Sequence, residues 1–169
     1  MRRRIIKKEK PEGGSKKFKS TELYLKGDPR YGSKLASKII NKLRWGGKKS
    51  TAQAIFYGAM DLVAKKVEVD PAEIFTKAIE NVKPHLEVRS KRVGGATYQV
   101  PMEVNKRRQQ SLAIRWMVDA ARAKRGKPMA KRMADEIFDA YNNQGAAVTK
   151  KENVHKMAEA NSAYSHFAW

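Results

Sequence analysis

The sequence predicts a mainly α-helical fold, a six-helix bundle with a two-stranded β-ribbon protruding between helices 3 and 4. Three observations predict it. Apolar residues recur at spacings of three and four in six separate segments. Between the third and fourth segments the period drops to two on both sides of a Gly-Gly pair, the pattern of a hairpin. Ser, Asp, Pro and Gly stand at segment ends, where helix caps and stops belong.

Residues 1–27 read as a basic tail, with Arg2, Arg3, Arg4, Lys7, Lys8, Lys10, Lys16, Lys17 and Lys19 around Pro11-Glu12-Gly13-Gly14-Ser15. Nothing in the tail repeats as a packing face, so it is expected to be flexible until a partner orders it. A single helical domain is expected over 28–169. Ser33 caps a first helix carrying Leu35, Ile39 and Leu43, which Gly46-Gly47 stops. The second carries Ala52, Ile55, Ala59, Leu62 and Val63 on one face. Asp70-Pro71-Ala72-Glu73 opens the third with an N-cap acid, proline at the first helical position and an acid at the third. Ile74, Phe75, Ala78, Ile79 and Val82 follow, and Pro84 ends it.

Leu86, Val88 and Ser90 then alternate with Glu87, Arg89 and Lys91; beyond Gly94-Gly95, Tyr98, Val100, Met102 and Val104 alternate with Thr97, Gln99 and Glu103. This gives a β-hairpin over about 86–104, with Pro101 confining its strand to an edge. The fourth helix has a stripe of Leu112, Ala113, Trp116, Met117 and Ala120. The fifth starts at Pro128, carries Met129, Met133, Ile137, Phe138 and Tyr141, and stops at Gly145. Thr149-Lys150-Lys151-Glu152 reads as a capping box for the sixth, whose apolar side is Val154, Met157 and Ala158. Phe75, Trp116, Met117, Met133 and Phe138 are expected in the core.

Charge identifies the partner class. The 169 residues hold 37 Lys and Arg against 17 Asp and Glu, a formal net charge of +20, and the mean hydropathy is -0.71. Such an excess seeks a polyanion. Absence of cysteine excludes disulfides, thiolate metal sites and thiol nucleophiles. His85, His155 and His166 show no metal-ligand spacing and read as surface or packing residues. Gly47-Lys48-Lys49-Ser50-Thr51 looks like the end of a phosphate loop, but Lys42 occupies the required upstream glycine position. No enzyme, metal or cofactor is expected. No apolar run reaches the roughly 18 residues a membrane span needs, so no membrane partner is expected. Glu9, Glu12 and Glu22 argue against a transit peptide, which leaves a cytoplasmic protein as the expectation.

Basic clusters recur in the tail, at Lys48-Lys49, from Arg89 to Arg92, at Lys106-Arg107-Arg108 and at Lys150-Lys151. An isolated hairpin is marginal in water, so an arm bearing Arg89, Lys91 and Arg92 is expected to need a polyanion for support. The three cations after Asn105 would prolong the same strip, with helix N–H groups adding phosphate contacts. Composition leaves two binding readings open, RNA and a DNA-architectural role. An RNA-modifying enzyme would need a cofactor loop or acid/base pair that the sequence lacks.

Longer motifs favour RNA. Arg89-Ser90-Lys91-Arg92-Val93-Gly94-Gly95-Ala96-Thr97-Tyr98-Gln99-Val100-Pro101 closely resembles the hairpin of bacterial-type ribosomal protein seven of the small subunit. So do Gly46-Gly47-Lys48-Lys49-Ser50 with Ile55-Phe56-Tyr57-Gly58-Ala59, the stretch Ala113-Ile114-Arg115-Trp116-Met117-Val118-Asp119-Ala120-Ala121-Arg122, and Val154-His155-Lys156-Met157-Ala158-Glu159-Ala160-Asn161. The likeness extends from about Asp28 to the C-terminus, while the tail before Asp28 is longer than the family pattern. The resemblance implies six helices with a ribbon between the third and fourth. It implies a primary binder of the 3′ major domain of 16S-type rRNA that organises the subunit head, beside exit-site tRNA, mRNA and small-subunit proteins nine and eleven. A cytoplasmic ribosome is implied, with an organellar one left open. The candidate rRNA contacts are Arg2, Arg3, Arg4, Lys8, Lys34, Lys48, Lys49, Arg89, Lys91, Arg92, Lys106, Arg107, Arg108, Arg115, Lys150 and Lys151. Arg92, Val93, Gly94, Gly95 and Ala96 would lie nearest tRNA and message.

Overall fold

Local capping sets the helix starts in a computed structural model that describes residues 24–168. The candidate contacts Arg2, Arg3, Arg4 and Lys8 lie outside the described residues. The described elements run α1 (Lys34–Leu43), α2 (Lys49–Ala64), α3 (Pro71–Val82), β1 (Leu86–Val93), β2 (Ala96–Glu103), α4 (Lys106–Ala123), α5 (Met129–Tyr141) and α6 (Ala146–Ala160). A seventh helical segment, the 3-10 helix Ser162–Phe167, follows and was not expected from the sequence. Ser33 Oγ accepts from Leu35 and Ala36 N–H, Asp70 accepts from Ala72 N–H, and Asn105 accepts from Arg108 N–H. Each supplies one of the partners that a helix start lacks.

The core is built around α5, which packs against α2, α3 and α4, while α1 closes over α2 and α4. Met133 and Ile137 of α5 are fully buried with Ile74 and Ile79 of α3, Phe56 and Met60 of α2, and Met117 of α4. Phe56 stands edge-on to Phe75 with centroids 5.4 Å apart. The buried face of α2 is Ala52, Phe56, Ala59, Met60 and Val63, so the expected Ile55 and Leu62 sit only at its margin. Trp116 and Phe138 are likewise half-buried rather than core. Both sit one position from the centre of their helix's apolar stripe.

Two carboxylates are buried for structural reasons. Asp28 Oδ1 accepts from Tyr57 Oη at 2.9 Å, and Oδ2 accepts from the N–H groups of Arg30 and Tyr31, pinning the entry into α1. Glu136 is fully buried; its Oε1 accepts from Ala147 N–H at 2.9 Å and its Oε2 lies 2.8 Å from Lys124 Nζ. Glu136 thus caps α6 from a neighbouring helix. The expected capping box at Thr149 is therefore wrong: α6 begins at Ala146, and Thr149 Oγ1 donates back to Gly145 O at 3.0 Å inside the first turn. Gly145 has φ 93°, and a Cβ there would fall 2.9 Å from Asp139 Cβ and 3.2 Å from Glu136 Oε1. Only glycine lets the chain pass that close.

Gly94 and Gly95 have φ 56° and 87°, the two positive values of a type I′ hairpin turn. Strand register pairs Glu87 with Met102, Arg89 with Val100 and Lys91 with Tyr98. Paired residues share a face, so Arg89 and Lys91 of β1 lie beside Val100 and Tyr98 of β2. The ribbon is also less free than expected. Its base packs against α6 and the 3-10 helix, Val100 is fully buried, and Tyr98 meets Tyr164 and Phe167 at 5.2 Å. Arg92, Gly94, Gly95, Ala96 and Thr97 remain exposed at the tip. The chain itself thus supports the base of the arm.

Candidate nucleic-acid interface

Residues four apart lie on one side of a helix. Lys34, Lys38 and Lys42 therefore form a row on α1, and Arg107, Ser111 and Arg115 form one on α4. Packing of α1 on α4 brings the rows face to face across a groove of about 400 Å³ lined by Lys38, Asn41, Lys42, Arg107, Gln110, Ser111 and Arg115, with Leu25 and Ile114 as its apolar part. Among the described residues that line it, four are cations and none is an acid. Lys38 Nζ donates to Gln110 Oε1 at 2.6 Å, joining the two walls. An adjoining hollow shares Leu25 and Asn41 and adds Lys26 and Lys49 together with the buried Asp28, reaching the start of α2. Among the described residues no side chain caps that helix start: Lys48 is its N-cap residue and Lys49 its first residue, both exposed. Lys42, in the position where a phosphate loop needs glycine, sits in the last turn of α1.

The expected strip from ribbon to α4 is divided. Successive helical residues point about 100° apart, so Arg107 enters the groove while Arg108 turns to the ribbon. There Glu87, buried at the base, takes Arg89 Nε on Oε1 at 2.6 Å and Arg108 Nε on Oε2 at 3.1 Å. Lys91 Nζ donates to Phe167 O at 2.8 Å. Arg92 lies on the opposite face of the ribbon from Arg89 and Lys91, so these three do not form one contact row. Lys106, Arg115, Lys34 and Lys150 are exposed. Lys151 is half-buried and donates to Asn81 O at 2.7 Å, a tie between α6 and the end of α3.

Lys38 and Lys42 are missing from the sequence-based set. Their i, i+4 spacing was visible, but only the docking of α1 on α4 makes it a site. Two histidines far apart in sequence also meet: His155 Nε2 accepts from His85 N–H at 3.1 Å, and the rings lie 6.1 Å apart. Burial lowers the His155 pKa, with repulsion from Lys151 and His85 in the same direction. At Lys124 burial acts to lower the ammonium, and bonds to Glu136 and Asp139 outweigh it, holding the group above its usual value. Among the described residues no helix is long and apolar enough to cross a membrane.

The chain matches the family described as Ribosomal protein S7p/S5e over residues 15–162. It is 58% identical to small ribosomal subunit protein uS7 of Thermotoga petrophila over 142 residues, 84% of this chain and 92% of that protein. The same protein of Rhodopirellula baltica is 57% identical over 152 residues, 89% of this chain and 97% of its own length. That of Nitratiruptor sp. is 62% identical over 143 residues, 84% and 92% of the two chains.

Proposed function

Because the chain belongs to the ribosomal protein S7p/S5e family, and is thus an rRNA-binding structural protein of the small-subunit head and not an enzyme, we propose that rRNA docks along the groove between α1 and α4. Family membership leaves the DNA-architectural alternative without support.

The convergence of four cations, Lys38, Lys42, Arg107 and Arg115, on one groove between two rigid helices carries this reading. Each cation placed on a phosphate releases condensed counterions, so the groove gains affinity from charge while its rigid helices fix orientation. Arg107 and Arg115 offer planar forks for two phosphate oxygens, and the lysines act as point charges. Lys34, Lys106, Lys48 and Lys49 extend the contact surface, with the open start of α2 offering N–H groups to a phosphate. Lys150 is a contact on a second face. Arg89, Arg108 and Lys91 reach RNA by exchanging Glu87 and the Phe167 carbonyl for phosphate. The exposed tip, Arg92 to Ala96, serves exit-site tRNA and message, and small-subunit proteins nine and eleven are the neighbours. The ribosome of the cytoplasm is the setting.

The chain lacks cysteine, so one can be introduced at will. An iron chelate tethered to Ser111→Cys should cleave a 3′ major-domain rRNA transcript within the complex, and one tethered to Thr76→Cys on the Glu73/Glu80 side of α3 should cleave it weakly. Strong cutting from residue 76 with none from residue 111 would place the RNA on the wrong face for this account.

A further inference from the structure

Trp45 follows the C-terminus of α1 with 77% of its surface exposed. Its carbonyl accepts from Lys48 N–H at 3.2 Å, closing a tight turn through Gly46 and Gly47 that sets the indole at the corner between α1 and α2. Arg122 of α4 lies over the ring with its guanidinium carbon 5.4 Å from the centroid. Arg122 is itself anchored, its Nη2 donating to Lys42 O at 3.4 Å and Leu43 O at 3.3 Å, carbonyls that the end of α1 leaves open. One face of the indole thus rests on a fixed cation and the other is open.

Burial is the usual fate of so large an aromatic side chain, and at a protein–protein contact it would be ringed by apolar neighbours. Here the one ring contact, Arg122, and the near chain neighbours are cationic. Arg44, Lys48 and Lys49 flank it in the chain and are exposed, and no Asp or Glu occurs between Asp28 and Asp61. An open π face in positive surroundings matches the stacking platforms that proteins offer to unpaired bases, where the cations take the flanking phosphates. Guanidinium stacking on the far face completes a layered cation–indole–base arrangement.

We propose that Trp45 stacks an unpaired base of the bound rRNA, with Arg122 holding the indole in place. This rests on the reading that the α1 and α4 side faces rRNA, and adds a base contact to a surface otherwise made of phosphate contacts.

The test compares wild-type full chain, Trp45→Ala and Trp45→Phe against a 3′ major-domain rRNA transcript, reading affinity, salt slope and tryptophan fluorescence. Loss of one stack should weaken Trp45→Ala about 10-fold, with the salt slope unchanged because no charge is removed. Trp45→Phe should keep affinity within about 3-fold, since phenylalanine also stacks. Wild type should show RNA-induced quenching that Trp45→Phe lacks. Wild-type affinity in Trp45→Ala, or quenching that is identical in wild type and Trp45→Phe, would overturn the proposal, as would an indole that responds only when neighbouring proteins join. Failure of the docking reading itself is distinguishable, because an iron chelate tethered to Ser111→Cys would then leave the transcript uncut while the wild-type chain still bound it.

Discussion

Arg108, in the first turn of α4, donates its Nε to Glu87 Oε2 at 3.1 Å and so ties that helix to the base of the ribbon. Because Glu87 also holds Arg89, a single buried carboxylate keeps two cations on the protein. Both arginines are more than a third exposed, which discounts the bonds' worth to about 1 kcal/mol. Glu87→Gln should lower stability by about that amount in urea unfolding while leaving rRNA affinity equal or stronger. Weakened binding at full folding would mean that Glu87 orients the arginines for RNA.

The link between Glu136 and α6 is the more costly one to break. Glu136→Ala strands Ala147 N–H and leaves the partly buried Lys124 with Asp139 as its one remaining carboxylate, so a loss of about 2–3 kcal/mol is expected, below the range for fully buried pairs because Lys124 keeps that partner and reaches solvent. Gly145→Ala should cost about 1–3 kcal/mol from its positive φ and the approach to Asp139. Urea unfolding measures both. In each case RNA affinity of the folded fraction should be unchanged, because neither residue lines the groove.

Phe75 and Trp116 separate core from margin. Phe75→Ala should cost about 3–5 kcal/mol, and Trp116→Ala, half-buried in a groove with Val88, Leu112 and Met157, about 1–3 kcal/mol by area. Equal losses in thermal or urea unfolding would contradict the burial seen for these two rings.

Much of this was readable in the sequence, and the failures share a cause. Ser33 and Asp70 cap from their own helix starts, so local pattern reveals them. The start of α6 was misplaced because its cap, Glu136, arrives from another helix. Alternation gave both strands, but which faces coincide depends on the Val93–Ala96 turn register, which set Arg89 against Val100. Trp116 and Phe138 fit an apolar stripe whose centre only packing decides. Lys38 and Lys42 become a site only across from Arg107 and Arg115.

His155 gives the fold a pH dependence. Burial first, then Lys151 and His85, lowers its folded pKa, whereas the unfolded chain takes up the proton near 6.5. The unfolded state therefore binds more protons in this window, and stability must fall as pH drops through 6.5 toward the folded value. Between about pH 7.5 and 5.5, a range set above the carboxylate pKa values, wild type should lose stability to urea, and His155→Gln should lose markedly less. Parallel curves for the two proteins would remove His155 as the cause.

Removal of Val93 to Ala96 takes away the exposed turn without touching Glu87 or the groove. Reconstituted subunits with the shortened ribbon should keep their rRNA footprint while releasing exit-site tRNA faster. Equal loss of footprint and tRNA would make the tip an rRNA anchor, and no change in either would remove it from function.

Salt dependence of rRNA binding tests the groove most directly. For wild type, log K against log salt should have a slope of about -4 to -8, and replacing Lys38, Lys42, Arg107 and Arg115 with Gln together should flatten it by about 3. Circular dichroism would establish that the variant is folded. A folded quadruple variant with the wild-type slope and affinity would contradict the account, because phosphates would then be neutralised somewhere other than between α1 and α4.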